Sequence, residues 1–321
     1  MMKQKKIDGL ITKTDTGNIP QKLFPVMSEL FPKNVNANDT IYAAIRDCED
    51  LKGDRVALEK MWIVYRQYAD PHFLREIRDH FIQRYWEMLV TCMILRAGHT
   101  IQSAPDGPDI VVITQGKISA YIEAVAPSGG TGKDQVREPI DSTFWVSHDG
   151  IMLRYLSAIQ NKHQQYLDWL KEGRVDPSVP YIIALNSRGI PMAVRDANPP
   201  RIVQALYGIG PSFVELDKKS LQIIRTGSYS KRAMMKCSGI DIALDGFITE
   251  KKKEISAIIY GCTPNPGIHE NILDKITLAH NSHAKNPLPR NWLGGGVELS
   301  FDGKGVARTV VTSEESNLFH P

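Results

Sequence analysis

The sequence predicts an α/β fold: a central mixed β-sheet flanked by helices, with a helical segment in front of it. Three observations carry this expectation. Apolar residues recur at helical spacing up to Gly98 and at extended spacing after it. A hairpin signal, Gln115-Gly116-Lys117, lies between two apolar, β-branched segments. A second long helical stretch then leads into a short apolar run, YIIALN. Helix, hairpin, helix and further strand is an α/β order.

Taken in chain order, residues 1–19 are polar and without period, and are expected to form a loose arm. Residues 20–97 read as helical. The stretch from Asp54 to Ala69 is amphipathic, and Asp70-Pro71 is a suitable helix start, because proline is tolerated in the first turn. The run that follows places Phe73, Ile77, Phe81, Tyr85, Leu89 and Met93 near one stripe, which predicts a single helix ending at Gly98 as its C′ residue. His99–Ala104 is a short strand candidate, and Pro105 to Asp109 (PDGPD) is a turn cluster. The hairpin strands are Ile110–Thr114 and Ile118–Ala126, followed by a glycine-rich loop, PSGGTGKD.

Residues 150–172 predict a long second helix, and Tyr181–Asn186 a buried strand. Beyond residue 200 the expected elements are a helix at Arg201–Tyr207 and strands near Phe213–Leu216, Ile255–Tyr260 and Ile276–His280. A final hairpin turns at Asp302-Gly303. No repeat and no low-complexity segment interrupts this order. The expected division is an N-terminal arm and helical extension over 1–70, then an α/β domain over 71–321.

Composition narrows the function classes. The chain has 321 residues, 42% of them hydrophobic and 23% charged, as in an ordinary globular protein. No apolar run approaches the roughly 20 residues that cross a bilayer, and the start lacks a signal-peptide stretch. A cytoplasmic location without membrane contact is expected, although an effector exported without a cleaved signal would look the same. Cys48, Cys92, Cys237 and Cys262 are scattered, which predicts plain thiols rather than a zinc site or disulfides. A net charge of +3 neither supports nor excludes a nucleic-acid partner, since a local basic groove can suffice.

The chemistry-bearing residues are acidic. Asp109 stands at the mouth of the first hairpin strand, and Glu123 near the end of the second. Two carboxylates on neighbouring strands can hold a divalent cation if they share a face, and the cation can activate water for attack on a phosphate. They share one if 109 opposes 123, which puts 111 against 121 and 113 against 119. A slip of one residue would send them to opposite faces. A glutamate inside YIEAVAP and another, Glu87, on a helix apolar almost all round both call for partners.

A helix with an internal Glu87, then Pro108-Asp109 opening a strand, then Glu123-Ala124-Val125 on the next, resembles the PD-(D/E)XK nuclease superfamily, with its restriction-endonuclease-like core. The resemblance covers residues 80–186. It implies that Asp109, Glu123 and the Ala124 carbonyl hold Mg²⁺ or Mn²⁺, and that Glu87 positions the ion or its water. Position 125, where the superfamily carries a lysine that orients the attacking water, is Val125 here. Lys162 on the following helix is the first candidate for that cation, with Lys117 and Lys133 next. The implied activity is metal-dependent phosphodiester hydrolysis on nucleic acid, DNA rather than RNA, with a homodimer admitted. The alternative is a degenerate nuclease fold that binds nucleic acid or protein without cleavage.

Other signals are weaker. PSGGTGKD approaches a phosphate-binding loop, but Pro127 replaces the first glycine and Asp134 the metal-binding hydroxyl, so a flap beside the site is expected instead. His280 and His283 have metal-compatible spacing without an acidic neighbour in sequence, and a turn built on Asn281 and Asn286 is the expected reading. No G-x-S-x-G elbow marks a serine nucleophile. The basic cluster Ser230–Lys236, beside Tyr229, could track a nucleic-acid backbone, whereas Glu250–Glu254 reads as a solvated face.

Overall fold

The computed structural model describes residues 29–102, 107–139, 145–263 and 272–312. The arm expected at 1–19, the start of the segment expected to be helical (20–28) and part of the turn before Asp109 lie outside them. The helices are α1 (Thr40–Asp47), α2 (Lys52–Tyr65), α3 (Phe73–Glu76), α4 (Phe81–Arg96), α5 (His148–Lys171) and α6 (Arg201–Tyr207). Strands β1 (Thr100–Gln102), β2 (Ile110–Thr114) and β3 (Lys117–Val125) precede α5, and β4 (Tyr181–Asn186) follows it. After α6 come β5 (Ile209–Leu216), β6 (Ile223–Ser230), β7 (Ala233–Met235), β8 (Asp241–Ala243) and β9 (Ala257–Gly261). Last are β10 (Thr277–His280), β11 (Gly296–Phe301) and β12 (Val306–Val311).

Among the described residues, eight strands form one mixed sheet in the order β1-β2-β3-β4-β9-β10-β11-β12. β3, β4 and β9 run parallel, and antiparallel partners flank them. The chain is therefore an α/β protein with helices on both faces of a mixed sheet. Alternation sets the two cores. Ile110, Val112, Ala120, Ile122 and Ala124 face α2 and α4, whereas Val111, Tyr121, Ile183, Leu185 and Tyr260 face α5 and α6. β4 is covered on both faces, which is why all six of its residues are buried and its sequence shows no alternation.

Four expectations are corrected. The single helix over 73–98 is two helices, broken at His80 (φ −139°). The break is put to use. Asp39 caps α1 through Oδ1, which accepts from Ile41 and Tyr42 N–H, while its Oδ2 accepts from Phe81 N–H at the start of α4. One carboxylate thus joins two helix starts, a contact invisible to periodicity.

The hairpin turns at Gln115 (φ 51°) and Gly116 (φ 75°), the left-handed pair that a two-residue turn requires. Its register places 111 opposite 121 as expected, but a bulge after Val112 pairs Ile113 with Ile118 rather than Ser119. β5 starts four residues before Phe213 and pairs with β6, a strand that the sequence IIRTGSYS of residues 223–230, exposed almost throughout, did not announce. Lys252, expected on a solvated face, lies half-buried against His163 and Gln160.

Candidate active site

The site forms where β2 parts from β3. Pairing between them begins at Ile110 and Ile122, so beyond that point the edge of β3 has no backbone partner on that side. Two side chains take over. Ala124 N–H donates to Asp109 Oδ2 at 2.8 Å, and the Gln83 amide of α4 donates to the Ala124 carbonyl at 3.2 Å while accepting from Ala126 N–H at 2.7 Å. A strand end that would carry unsatisfied polar groups is thereby closed by an aspartate and a glutamine.

Asp109 and Glu123 do meet. Asp109 N–H donates to Glu123 Oε2 at 3.2 Å, and Glu123 lies on the same face as Tyr121, against α5. From that helix Lys162 Nζ reaches Glu123 Oε1 at 2.6 Å and Gln165 Oε1 at 3.3 Å. Lys117 starts β3 at its far end and Lys133 lies on the exposed loop; of the three expected lysines, Lys162 is the one placed against the carboxylates. Residue 125 shares the face of residue 123, and α5 supplies an ammonium to that face from above.

Glu87 is held differently. It is buried on α4, on the opposite side of the sheet, where Tyr65 donates to its Oε1 at 2.6 Å and Arg84 to its Oε2 at 2.7 Å. Arg84 also pairs with Asp70 at 3.1 Å and with Glu76. No hydrogen bond among the described residues joins Glu87 to Asp109 or Glu123; its influence on them is electrostatic.

The three carboxyls share a common strain of charge. Burial, and then the Glu123 carboxylate, push Asp109 up to about 7; solvent at its exposed rim tempers that rise without reversing it. Burial raises Glu123 as well, against the pull of Lys162. Glu87 is raised by burial and by Asp109. Two cations, Arg84 and Lys162, stand among these three carboxyls.

This observation tests whether a hard divalent cation suits the residues. Asp109, Glu123 and the Ala124 carbonyl offer hard oxygens, and a cation would offset the cost of ionising carboxyls that burial above all holds up. Mg²⁺ needs few protein ligands because it retains water. Among the described residues, no three His, Cys, Asp or Glu side chains are grouped to hold a metal, so any site here depends on a backbone carbonyl and water.

The other expected features resolve as structure. His280 lies beside Glu298 of β11, with 3.6 Å between Nε2 and Oε2, an acidic neighbour that sequence distance concealed. Asn281 Nδ2 donates to the carbonyls of Lys252 and Ile255, and Asn286 Nδ2 to those of Pro177 and Val179, as a structural turn requires. The glycine-rich loop folds back on itself through Val136 N–H to Gly129 O and is tied by Asp134 Oδ1, which accepts from Cys237 N–H at 2.9 Å. Sequence reasoning missed Gln83 and Arg84; their sole local signal is position, one turn before Glu87 on the same helix. Among the described residues no helix is long and apolar enough to cross a membrane.

No protein-family model matches the chain, and neither does any curated protein or solved structure.

Proposed function

We propose that the chain is a divalent-metal-dependent phosphodiester hydrolase with a restriction-endonuclease-like core, acting on nucleic acid and on DNA in the first place. The observation that carries this reading is the Lys162 ammonium 2.6 Å from Glu123, on the face that Val125 leaves without a cation. In this reading Asp109, Glu123 and the Ala124 carbonyl hold Mg²⁺ or Mn²⁺. The bound ion would supply charge neutralisation at the phosphate and acidify a water. Lys162 orients the attacking water and offers a positive charge to the phosphate oxygens as negative charge builds there. Gln83 fixes the Ala124 carbonyl, and Glu87 with Arg84 sets the field behind the site.

A second reading has its own support. Asp109 Oδ2 and both Glu123 oxygens already have partners within the chain, which suits a degenerate site that binds without cutting. Cleavage of DNA and RNA substrates in Mg²⁺ and in Mn²⁺, wild type beside Glu123→Ala, separates the two. Cleavage lost in the variant supports the hydrolase. No cleavage by the wild type in either ion leaves the binding-only reading, and cleavage that survives the substitution refutes the assignment of the site.

A further inference from the structure

After α6 the chain leaves the central sheet. Among the described residues β5 and β6 pair only with each other, forming a two-stranded arm. One face of the arm is satisfied internally: Phe213 packs on Tyr229 with ring centroids 4.9 Å apart, and Arg225 lies over Phe213 while pairing with Glu215 at 2.5 Å. The tip and outer face are not. Val214, Leu216, Leu221, Ile223 and Ile224 are all exposed, from 47% for Leu216 to 72% for Leu221. Apolar side chains concentrated in this way on so short an element mark a contact surface.

The turn at the tip is built to project them. Asp217 Oδ1 accepts from Lys219 and Ser220 N–H at 3.0 and 2.7 Å, and Leu221 N–H donates to the Asp217 carbonyl at 2.9 Å. Leu221 adopts φ 57°, a left-handed conformation unfavourable for leucine. Strain is thus accepted at the most exposed large apolar side chain of the arm.

Charge identifies the partner. Residues 209–236 hold Lys218, Lys219, Arg225, Lys231, Arg232 and Lys236 against Glu215 and Asp217, a net of +4, while the whole chain is +3. The remainder of the protein is therefore net −1, and the positive excess belongs to the arm and its root. A second copy of the arm would be repelled by it. A partner that is polyanionic and also admits an apolar wedge is duplex nucleic acid, with phosphates flanking base steps that can be parted.

The root of the arm lies on the correct side. Ser228, Tyr229 and Arg232 wall a cleft of about 750 Å³ floored by Tyr260 and Leu299, which share the sheet face on which Lys162 meets Glu123. The glycine-rich loop, which begins two residues after Val125, bonds through Asp134 to Cys237 just past β7.

We propose that the β5–β6 arm grips duplex nucleic acid, its lysines on phosphates and Leu221 with Ile223 wedged between base steps. The phosphodiesterase reading explains why a duplex is held, but the binding itself stands apart from it. The test titrates the full chain, in EDTA to prevent cleavage, into a fluorescein-labelled 20-base-pair DNA duplex containing 2-aminopurine.

Lys218→Glu with Lys219→Glu should weaken binding about tenfold or more at 0.1 M salt and lower the slope of log K against log salt by about 2. Leu221→Ser with Ile223→Ser should remove the 2-aminopurine fluorescence rise and leave the salt slope unchanged. All four positions project from the arm tip, and circular dichroism checks that the fold is kept. Wild-type affinity and slope in the lysine variant would overturn the proposal. So would binding to phosphatidylserine vesicles with the same residue dependence in place of the duplex. Arm-dependent duplex binding without cleavage in any ion sinks the hydrolase reading alone; cleavage with arm-independent affinity sinks the arm alone.

Discussion

Replacing Lys162 with methionine tests the site at its charge balance. The Glu123 side chain is 3% exposed and its lysine partner 22%, with 2.6 Å between charged atoms. Breaking a fully buried pair costs about 3–5 kcal/mol. Here the lysine reaches solvent and the carboxyl can take up a proton, so the expected loss of stability is about 1–2 kcal/mol at pH 7. The loss shrinks as pH falls, because burial raises Glu123 and removal of the ammonium raises it further, so the carboxyl takes up a proton. Under the proposed hydrolase reading cleavage is the more sensitive readout, since removing one preorganised donor costs about 10²–10³ in turnover.

The complementary change is Val125→Lys. Residue 125 lies two positions from Glu123 on one strand face and is half-buried, so a lysine there brings its ammonium to the same carboxylate. Single-turnover cleavage in Mg²⁺, with thermal melts at pH 5 and 8, should show Lys162→Met impaired by about 10²–10³ and the double variant recovering about tenfold. Wild-type cleavage by folded Lys162→Met would refute the role of Lys162. A folded double variant no faster than the single one would refute the shared-face argument.

Two further outcomes are expected. Because Asp109 is raised in the folded protein, to about 7, the native state holds its proton where the unfolded chain has released it. Its contribution to stability therefore falls as pH rises from about 4 to about 7 and stays low above that. Asp109→Asn should gain about 1 kcal/mol at pH 8 and nothing at pH 4, a figure held low by solvent at its rim; melts in EDTA that show equal gains at both pH values would contradict this. Arg84→Met leaves Glu87 buried without its cation and should cost about 3 kcal/mol in denaturant unfolding, whereas a loss under 1 kcal/mol would show that Tyr65 alone sustains Glu87.

The α/β order was legible because it is written in local terms. The helical stripe ending at Gly98, the turn at Gln115-Gly116 and the apolar run Tyr181–Asn186 each depend on residues a few positions apart. The same locality explains the failures. The break at His80 answers to Asp39, some forty residues earlier, and the bulge after Val112 has no composition signal. β6 was concealed because an arm standing off the sheet buries neither face and so shows no alternation.

For the site, sequence alone determined the residue types. Asp109 and Glu123 come to oppose each other because the bulge after Val112 offsets the two-residue turn, which without it would set 109 against 122 and on the other face. Tertiary structure decided the rest. Lys162 meets Glu123 across 39 residues because α5 packs on the face that Glu123 occupies. Gln83 reaches Ala124 across 41 residues because β2 leaves the edge of β3 open there. Alternation and turn chemistry travel with the chain, but the partner of a buried charge is set by whichever element packing brings over it.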